Sequence, residues 1–167
     1  MADSAAIPLV GRSIELDRIR AATERAAAAA GNTLLLAGEE GIGKSRLAAE
    51  ALFDVDLPRG RYDLVIAGNI CHLFDGAANR RLLSVLYDAL APGGALAIAD
   101  IVPEEGRSSR AAALYALGLH LRTGSGGVHR RRAYQGWLAD AGFQPPELHQ
   151  LVDDFPLMLI IARKPGA

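Results

Sequence analysis

A glycine-rich segment that ends in a lysine and a hydroxyl residue has the composition of a phosphate-binding loop. The segment reads GEEGIGKS and fits G-x-x-x-x-G-K-[ST] without a mismatch. Gly38, Gly41 and Gly43 would let backbone N–H groups converge on phosphate oxygens without a Cβ clash. Lys44 would contact the β- and γ-phosphates, and the Ser45 hydroxyl would bind Mg²⁺. These residues predict a site for Mg-ATP.

The same loop has a second interpretation, in which it is a folded relic that binds no nucleotide. Hydrolysis of ATP also needs an aspartate for the metal and a carboxylate that activates water. The run ALAIAD, which ends in Asp100, has the shape of the strand that supplies such an aspartate.

A histidine and an aspartate lie near the ends of two predicted strands. His72 follows the apolar run Tyr62–Ala67, and Asp100 lies near the end of the run Ala95–Val102. Ligands bind at the carboxyl ends of strands in a doubly wound sheet, so we expect both side chains to face one crevice. The alternative for His72, which stands between Cys71 and Leu73, is that it simply packs or caps.

Alternation of apolar strands with amphipathic helices predicts an α/β fold with a parallel sheet. The short link Asp153–Pro156 predicts an antiparallel hairpin at one end of it. We therefore expect a truncated Rossmann-like, mostly parallel sheet with a C-terminal antiparallel hairpin. Apart from the two runs above, the predicted helices are Ser13–Ala30, Lys44–Leu52, Asn79–Leu90, Ser109–Leu121 and Arg132–Ala141, and the predicted strands are Thr33–Ala37, Leu148–Val152 and Leu157–Arg163.

The first part of the chain resembles a known group of ATPases. The runs LVGRSIELDRIRAA and GNTLLLAGEEGIGKSRLAAEAL are similar to the opening of ATPase domains in AAA-like and STAND-type bacterial regulators. Those domains begin with a VGR-x-x-EL helix, followed by this phosphate loop. The resemblance covers about residues 8–52 and then stops, before the family's Walker B strand, sensor residues and helical lid.

The remainder of the chain, from about Phe53 to Lys164, contains the runs DLPRGRYDLVIAGNICHLFD, RRLLSVLYDALAPGGALAIAD, GWLADAGF and LMLIIARKP. In these runs it resembles the back half of class I S-adenosylmethionine-dependent O-methyltransferases of the acetylserotonin and polyketide-tailoring type. We accordingly predict two domains, an ATPase-like segment over 1–52 and a methyltransferase-like half over 53–167.

The methyltransferase resemblance implies roles for the two strand-end residues. Members use a histidine after the fourth strand as general base, and His72 occupies that place. A carboxylate at the end of the next strand orients the histidine, and Asp100 matches it. A second acidic partner, found in many plant relatives, is absent because the later loop reads GGVHRRR. Within that run, we expect Arg130–Arg132 to form a solvated basic face rather than a phosphate site.

The family's cofactor site is not encoded in register before Phe53, because the three strands that hold S-adenosylmethionine are missing. One arrangement would restore a compact sheet, with strand 33–37 beside strand 62–67 and Gly41 and Gly43 in place of the lost glycines. It predicts contacts between Leu35 and Leu64 or Val65.

Composition and charge limit the kinds of partner and the location that the sequence predicts. The 167 residues carry 18 basic and 19 acidic side chains, for a net charge of -1, and half are hydrophobic. This balance predicts no nucleic-acid partner, and no apolar run is long enough to predict a membrane span. A single cysteine and the lack of a signal peptide predict a cytoplasmic protein, and the abundance of alanine and arginine suggests a bacterial source.

Three functional hypotheses follow. The first is an O-methyltransferase acting on a small-molecule hydroxyl, incomplete or impaired. The second is an ATP-binding module without methyl transfer, and the third a non-catalytic product of recombination. The resemblance leaves a homodimer open, since relatives dimerise through a domain that this chain lacks.

Overall fold

The computed structural model describes residues 11–27, 35, 37, 39, 42, 47, 51, 60, 62–103, 110–123 and 126–166. The chain divides into two compact units, residues 1–58 and 59–167. The predicted domain boundary between residues 52 and 53 stays a prediction, because residues 52–59 lie outside the described part.

In the first unit, helix α1 spans Ser13–Ala27, as predicted up to its last described residue. Arg12 precedes the helix. Its guanidinium binds the Glu15 carboxylate at 2.9 Å and the carbonyl oxygen of Ile42 at 2.9 Å. A backbone hydrogen bond, and then the bond from Arg12, lower the pKa of Glu15. Arg12 of the VGR run therefore contacts the backbone of the predicted phosphate loop directly.

The remaining predicted elements of the first unit fall largely outside the described residues. These are the strand 33–37, the loop 38–43 and the helix 44–52, of which residues 35, 37, 39, 42, 47 and 51 alone are described. The proposed pairing of strand 33–37 with the second unit, and its contacts from Leu35, therefore stay predictions.

The second unit contains a four-stranded mixed sheet in the order β1-β2-β4-β3. Strands β1 and β2 are parallel, whereas β4 runs antiparallel to both β2 and β3. The predicted α/β class and C-terminal antiparallel hairpin are confirmed. The strands span Tyr62–Gly68 (β1), Leu90–Ile101 (β2), Glu147–Val152 (β3) and Phe155–Arg163 (β4).

Helices connect the strands close to where the sequence predicts them. They are a 3-10 turn at Cys71–Leu73, α2 over Gly76–Ala89, α3 over Arg110–Arg122 and α4 over Arg131–Ala141. Asp75 caps α2 by accepting a hydrogen bond from the Ala78 N–H at 2.8 Å. Gly142 ends α4 in the left-handed conformation, with φ 97°, which glycine adopts without a Cβ penalty.

Strand β2 begins five residues earlier than predicted. Tyr62 pairs with Leu90 and Leu64 with Ala95, so the strand bulges at the Ala-Pro-Gly-Gly run between them. A Cβ on Gly94 would lie 2.9 Å from the carbonyl oxygen of Ala91 and 3.0 Å from that of Tyr62, so this bulge requires glycine. The Ala-Pro-Gly-Gly run, which lies between the predicted helix Asn79–Leu90 and the predicted strand, is thus part of the sheet.

The core of the second unit lies between the sheet and the two packed helices α2 and α4. Apolar side chains spaced three and four residues apart on each helix face inward. The buried core includes Leu82, Leu83 and Leu86 of α2, Trp137 and Leu138 of α4, and Leu96, Ile98, Ile160 and Ala162 of the sheet. In the described part of the chain, no helix is long and apolar enough to cross a membrane.

Candidate active site

Parallel pairing brings the ends of β1 and β2 together, and with them His72 and Asp100. Gly68 lies opposite Ala99, and the Asn69 N–H donates to the Ala99 carbonyl at 2.8 Å. Asn69 has φ 53°, a left-handed turn that asparagine tolerates well. The turn leads directly into the 3-10 turn that carries His72 beside the last residues of β2.

His72 makes two hydrogen bonds to the carboxylate of Asp100. The ring nitrogen Nδ1 lies 2.7 Å from Oδ1, and the backbone N–H donates to Oδ2 at 3.1 Å. Both residues are buried, with 4% of His72 and none of Asp100 exposed to solvent. The structure therefore brings together the two residues that the sequence singled out.

The contacts of Asp100 fix the tautomer of the histidine. Oδ1 also accepts from the Ile101 N–H at 2.8 Å, so both oxygens act as acceptors, as in a carboxylate. A carboxylate cannot donate, so the hydrogen between the two side chains belongs to Nδ1 of His72. In the neutral ring, Nε2 is then left as the acceptor and thus as the basic atom.

Tyr115 on α3 contacts that basic nitrogen, and sequence reasoning missed it. Its hydroxyl lies 3.1 Å from Nε2 of His72, and the two rings meet edge to face at a centroid distance of 5.4 Å. No motif carries this residue, because the contact depends on how α3 lies across the sheet.

Asn79 anchors the turn that carries His72 and was also missed. Its amide nitrogen donates to the carbonyl oxygens of Cys71 at 2.9 Å and Phe74 at 3.2 Å, and the side chain is fully buried. The available signal was a polar side chain among the inward-facing positions of a predicted amphipathic helix. Such a residue keeps backbone groups of the turn satisfied.

The glycine-rich loop after α3 closes over the same turn. The Gly127 N–H donates to the His72 carbonyl at 2.9 Å, and His129 Nε2 donates to the Phe74 carbonyl at 2.8 Å. A Cβ on Gly126 would lie 2.6 Å from the His72 carbonyl oxygen. The described part of this loop, residues 126–130, thus packs against the backbone of the turn that carries the candidate base.

Two further ionisable groups lie buried beside the pair. Burial, followed by the negative charge of Asp100, raises the pKa of the Cys71 thiol and of the Tyr134 phenol well above their ordinary values. The Tyr134 hydroxyl lies near Asp100 but has no hydrogen-bond partner of normal geometry among the described residues. Both groups are therefore neutral in the native protein.

This burial predicts a loss of stability at alkaline pH. A native pKa above the unfolded value adds stability that is fully present below the unfolded pKa and is lost as pH rises towards the native pKa. The free energy of unfolding should hold steady up to about pH 8.5, where an unfolded thiol ionises, and then fall by about 1.4 kcal/mol per pH unit. Unfolded tyrosine adds to the fall above about pH 10.

Urea denaturation across this pH range tests the prediction, with Cys71→Ala as the control. The variant should lose the part of the decline that begins near the thiol pKa and keep the part that begins near the phenol pKa. An identical pH profile in both proteins would show that the buried thiol is not the cause.

The arginines after the loop line an open cavity of about 530 Å³ against α2 and α4. Arg130 and Arg132 are exposed, consistent with the solvated basic face expected from the sequence. Arg80 on the same cavity pairs with Asp140 at 3.0 Å. No group of histidine, cysteine and acidic side chains within the described ranges could hold a metal ion.

The structure does not describe the predicted nucleotide-binding residues. Gly38, Gly41, Gly43, Lys44 and Ser45 all lie outside the described residues. Their assignment to phosphate and Mg²⁺ stays a prediction from the sequence motif.

Comparison with known proteins recovers both resemblances. A family model described as the AAA ATPase domain matches residues 8–133. The chain belongs to the AAA ATPase domain family. The ATPase resemblance inferred from the first part of this AAA-family chain is thereby confirmed, and the match continues past residue 52 into the second unit.

The second unit of this AAA-family chain resembles O-methyltransferases. The 8-O-methyltransferase TcmO of tetracenomycin polyketide synthesis, from Streptomyces glaucescens, is 31% identical over 121 residues, which are 72% of this chain and 34% of TcmO. The 3-hydroxy-5-methyl-1-naphthoate 3-O-methyltransferase of Streptomyces sahachiroi is 30% identical over 135 residues, 80% of this chain and 36% of that enzyme. The chain spans about a third of the length of these relatives.

Solved structures agree with this assignment. A putative O-methyltransferase from Nostoc punctiforme aligns with TM-score 0.62 and 32% identity, over 68% of this chain and 34% of that one. Human N-acetylserotonin methyltransferase, solved with S-adenosylmethionine, aligns with TM-score 0.61 and 25% identity, over 69% of this chain and 32% of the human one. The predicted methyltransferase resemblance is confirmed.

Proposed function

We propose that the second unit corresponds to the back half of an S-adenosylmethionine-dependent O-methyltransferase that acts on a small-molecule hydroxyl. The observation that supports this best is the buried pair in which Asp100 holds Nδ1 of His72 at 2.7 Å and leaves Nε2 as the basic atom. The two Streptomyces relatives, which are 31% and 30% identical to this chain, are named as O-methyltransferases.

In this proposal His72 is the general base. Nε2 would accept the proton of a hydroxyl placed within about 2.6–3.2 Å of it. The carboxylate of Asp100 would stabilise the imidazolium that forms and keep the ring from turning, as the buried aspartate of a catalytic triad does. Asp100 acts through His72 and is a positioning residue.

The methyl donor would supply an electrophilic methyl group, but the described residues do not form a site for it. β1 lies at the edge of the described sheet, and none of the described elements of residues 59–167 forms a strand, glycine-rich turn and helix beside that edge. We therefore propose that the enzyme is incomplete or impaired.

Isothermal titration calorimetry separates the three hypotheses. Binding of S-adenosylhomocysteine without Mg-ATP supports the methyltransferase hypothesis, and binding of Mg-ATP alone supports the ATP-binding module. The absence of both binding signals supports a non-catalytic recombination product and would reject our proposal.

The family match that starts at residue 8 favours the ATP-binding module as a second candidate. If the module binds Mg-ATP, Lys44→Ala should abolish that binding, because the lysine is the side chain that contacts the β- and γ-phosphates. Titration of the variant with Mg-ATP checks this, with Arg25→Ala on the exposed end of α1 as the control. Unaltered ATP binding in Lys44→Ala would refute the assignment of the loop.

A further inference from the structure

The hydroxyl of Tyr115 occupies the position that an acceptor hydroxyl would need. It lies 3.1 Å from Nε2 of His72, within the distance at which a general base takes a proton. Since Nδ1 carries the ring hydrogen, Nε2 accepts and the tyrosine O–H donates. One lone pair on Nε2 cannot accept hydrogen bonds from two hydroxyl groups at full strength.

We propose that Tyr115 caps the base, so that a hydroxyl acceptor reaches His72 only by displacing the Tyr115 hydroxyl. The proposal rests on the function proposed for His72. It adds that the resting protein holds its own phenol where the acceptor oxygen would lie, and that acceptor affinity is reduced by this competition.

Tyr115 lies on the inward face of α3 and still borders solvent. Ala112 and Leu119 on the same face are 6% and 3% exposed, whereas Leu114, Leu117 and Leu121 on the other face are 60%, 58% and 78% exposed. Tyr115 itself is half-buried. Rotation of its side chain out of the contact would break the hydrogen bond to Nε2 without disturbing the buried pair of His72 and Asp100.

Nuclear magnetic resonance of the His72 ring nitrogens tests the contact without any need for methyl transfer. In the full chain, Nδ1 should show an attached hydrogen and Nε2 the signal of a hydrogen-bonded acceptor. In Tyr115→Phe, which keeps the ring and removes the hydroxyl, the Nε2 signal should move to that of an unbonded acceptor. Tyr87→Phe, a tyrosine on α2, should leave the signal unchanged.

A titration with phenol then measures the competition. We expect Tyr115→Phe to bind phenol about 2- to 10-fold more tightly than the unaltered chain, the ratio that one neutral hydrogen bond typically contributes. An Nε2 signal that does not move in Tyr115→Phe overturns the proposal, and so does equal phenol affinity, including no binding to either protein.

The cap and the proposed function fail by different results. If no methyl transfer is found but both the Nε2 signal and the phenol affinity change in Tyr115→Phe, the contact stands and the proposed function fails. If His72 proves to be a base but the Nε2 signal does not move in Tyr115→Phe, only the proposal that Tyr115 caps the base is wrong.

Discussion

His72→Ala should lower methyl transfer to a hydroxyl acceptor by about 10²–10⁴-fold, the usual contribution of a general base. The expected loss is in turnover, because Nε2 is the atom that would take the proton. Affinity for S-adenosylhomocysteine should stay nearly unchanged, since the described contacts of His72 are to Asp100, Tyr115 and the neighbouring turn. Initial rates with labelled S-adenosylmethionine, together with calorimetric titration, measure the two quantities separately.

His149→Ala is a suitable control for this experiment. His149 lies on β3, where its side chain is 53% exposed and near Glu147, far along the sheet order from β1. Its removal should leave turnover unchanged. A large loss of cofactor affinity in His72→Ala, or equal rates in the two variants, would show that His72 is structural.

Asp100→Ala should lower the free energy of unfolding by about 2–6 kcal/mol, because it removes the acceptor of two buried backbone N–H groups. The carboxylate is fully buried and accepts from three N–H groups, namely His72 Nδ1 and the backbone N–H groups of His72 and Ile101. Its loss leaves both backbone donors buried without partners, and each costs about 1–3 kcal/mol. Urea denaturation of the variant provides the measurement.

Asp100→Asn separates the charge from the shape. The amide keeps the volume of the carboxylate but has one accepting oxygen, so it can satisfy the backbone donors on one side only. We expect a stability between those of the unaltered chain and Asp100→Ala. Equal stability of all three proteins would mean that the pair does not hold the turn in place.

The position of this pair could be predicted because it depends on two local patterns. An apolar run ends before His72, another ends at Asp100, and parallel strands place such ends at the same sheet edge. The hairpin of β3 and β4 was equally accessible, because the short link between two apolar runs allows only antiparallel pairing.

The contact of Tyr115 could not be predicted, because nothing in the sequence of α3 indicates which face packs inward. Its apolar residues do not share one face, and Leu114, Leu117 and Leu121 are exposed. The early start of β2 was missed for a different reason. The Pro-Gly-Gly run is typical of a chain reversal, whereas here it forms a bulge that keeps pairing with β1.

The edge strand β1 affects how the protein behaves in solution. Leu64 and Ile66 point to the same side of β1 and are 55% and 71% exposed, although strands of parallel sheets are normally covered on both sides. A net charge of -1 gives little electrostatic repulsion between copies. Concentrated solutions of this chain should therefore be colloidally unstable, with attraction between molecules strongest near the isoelectric point of about 6.4.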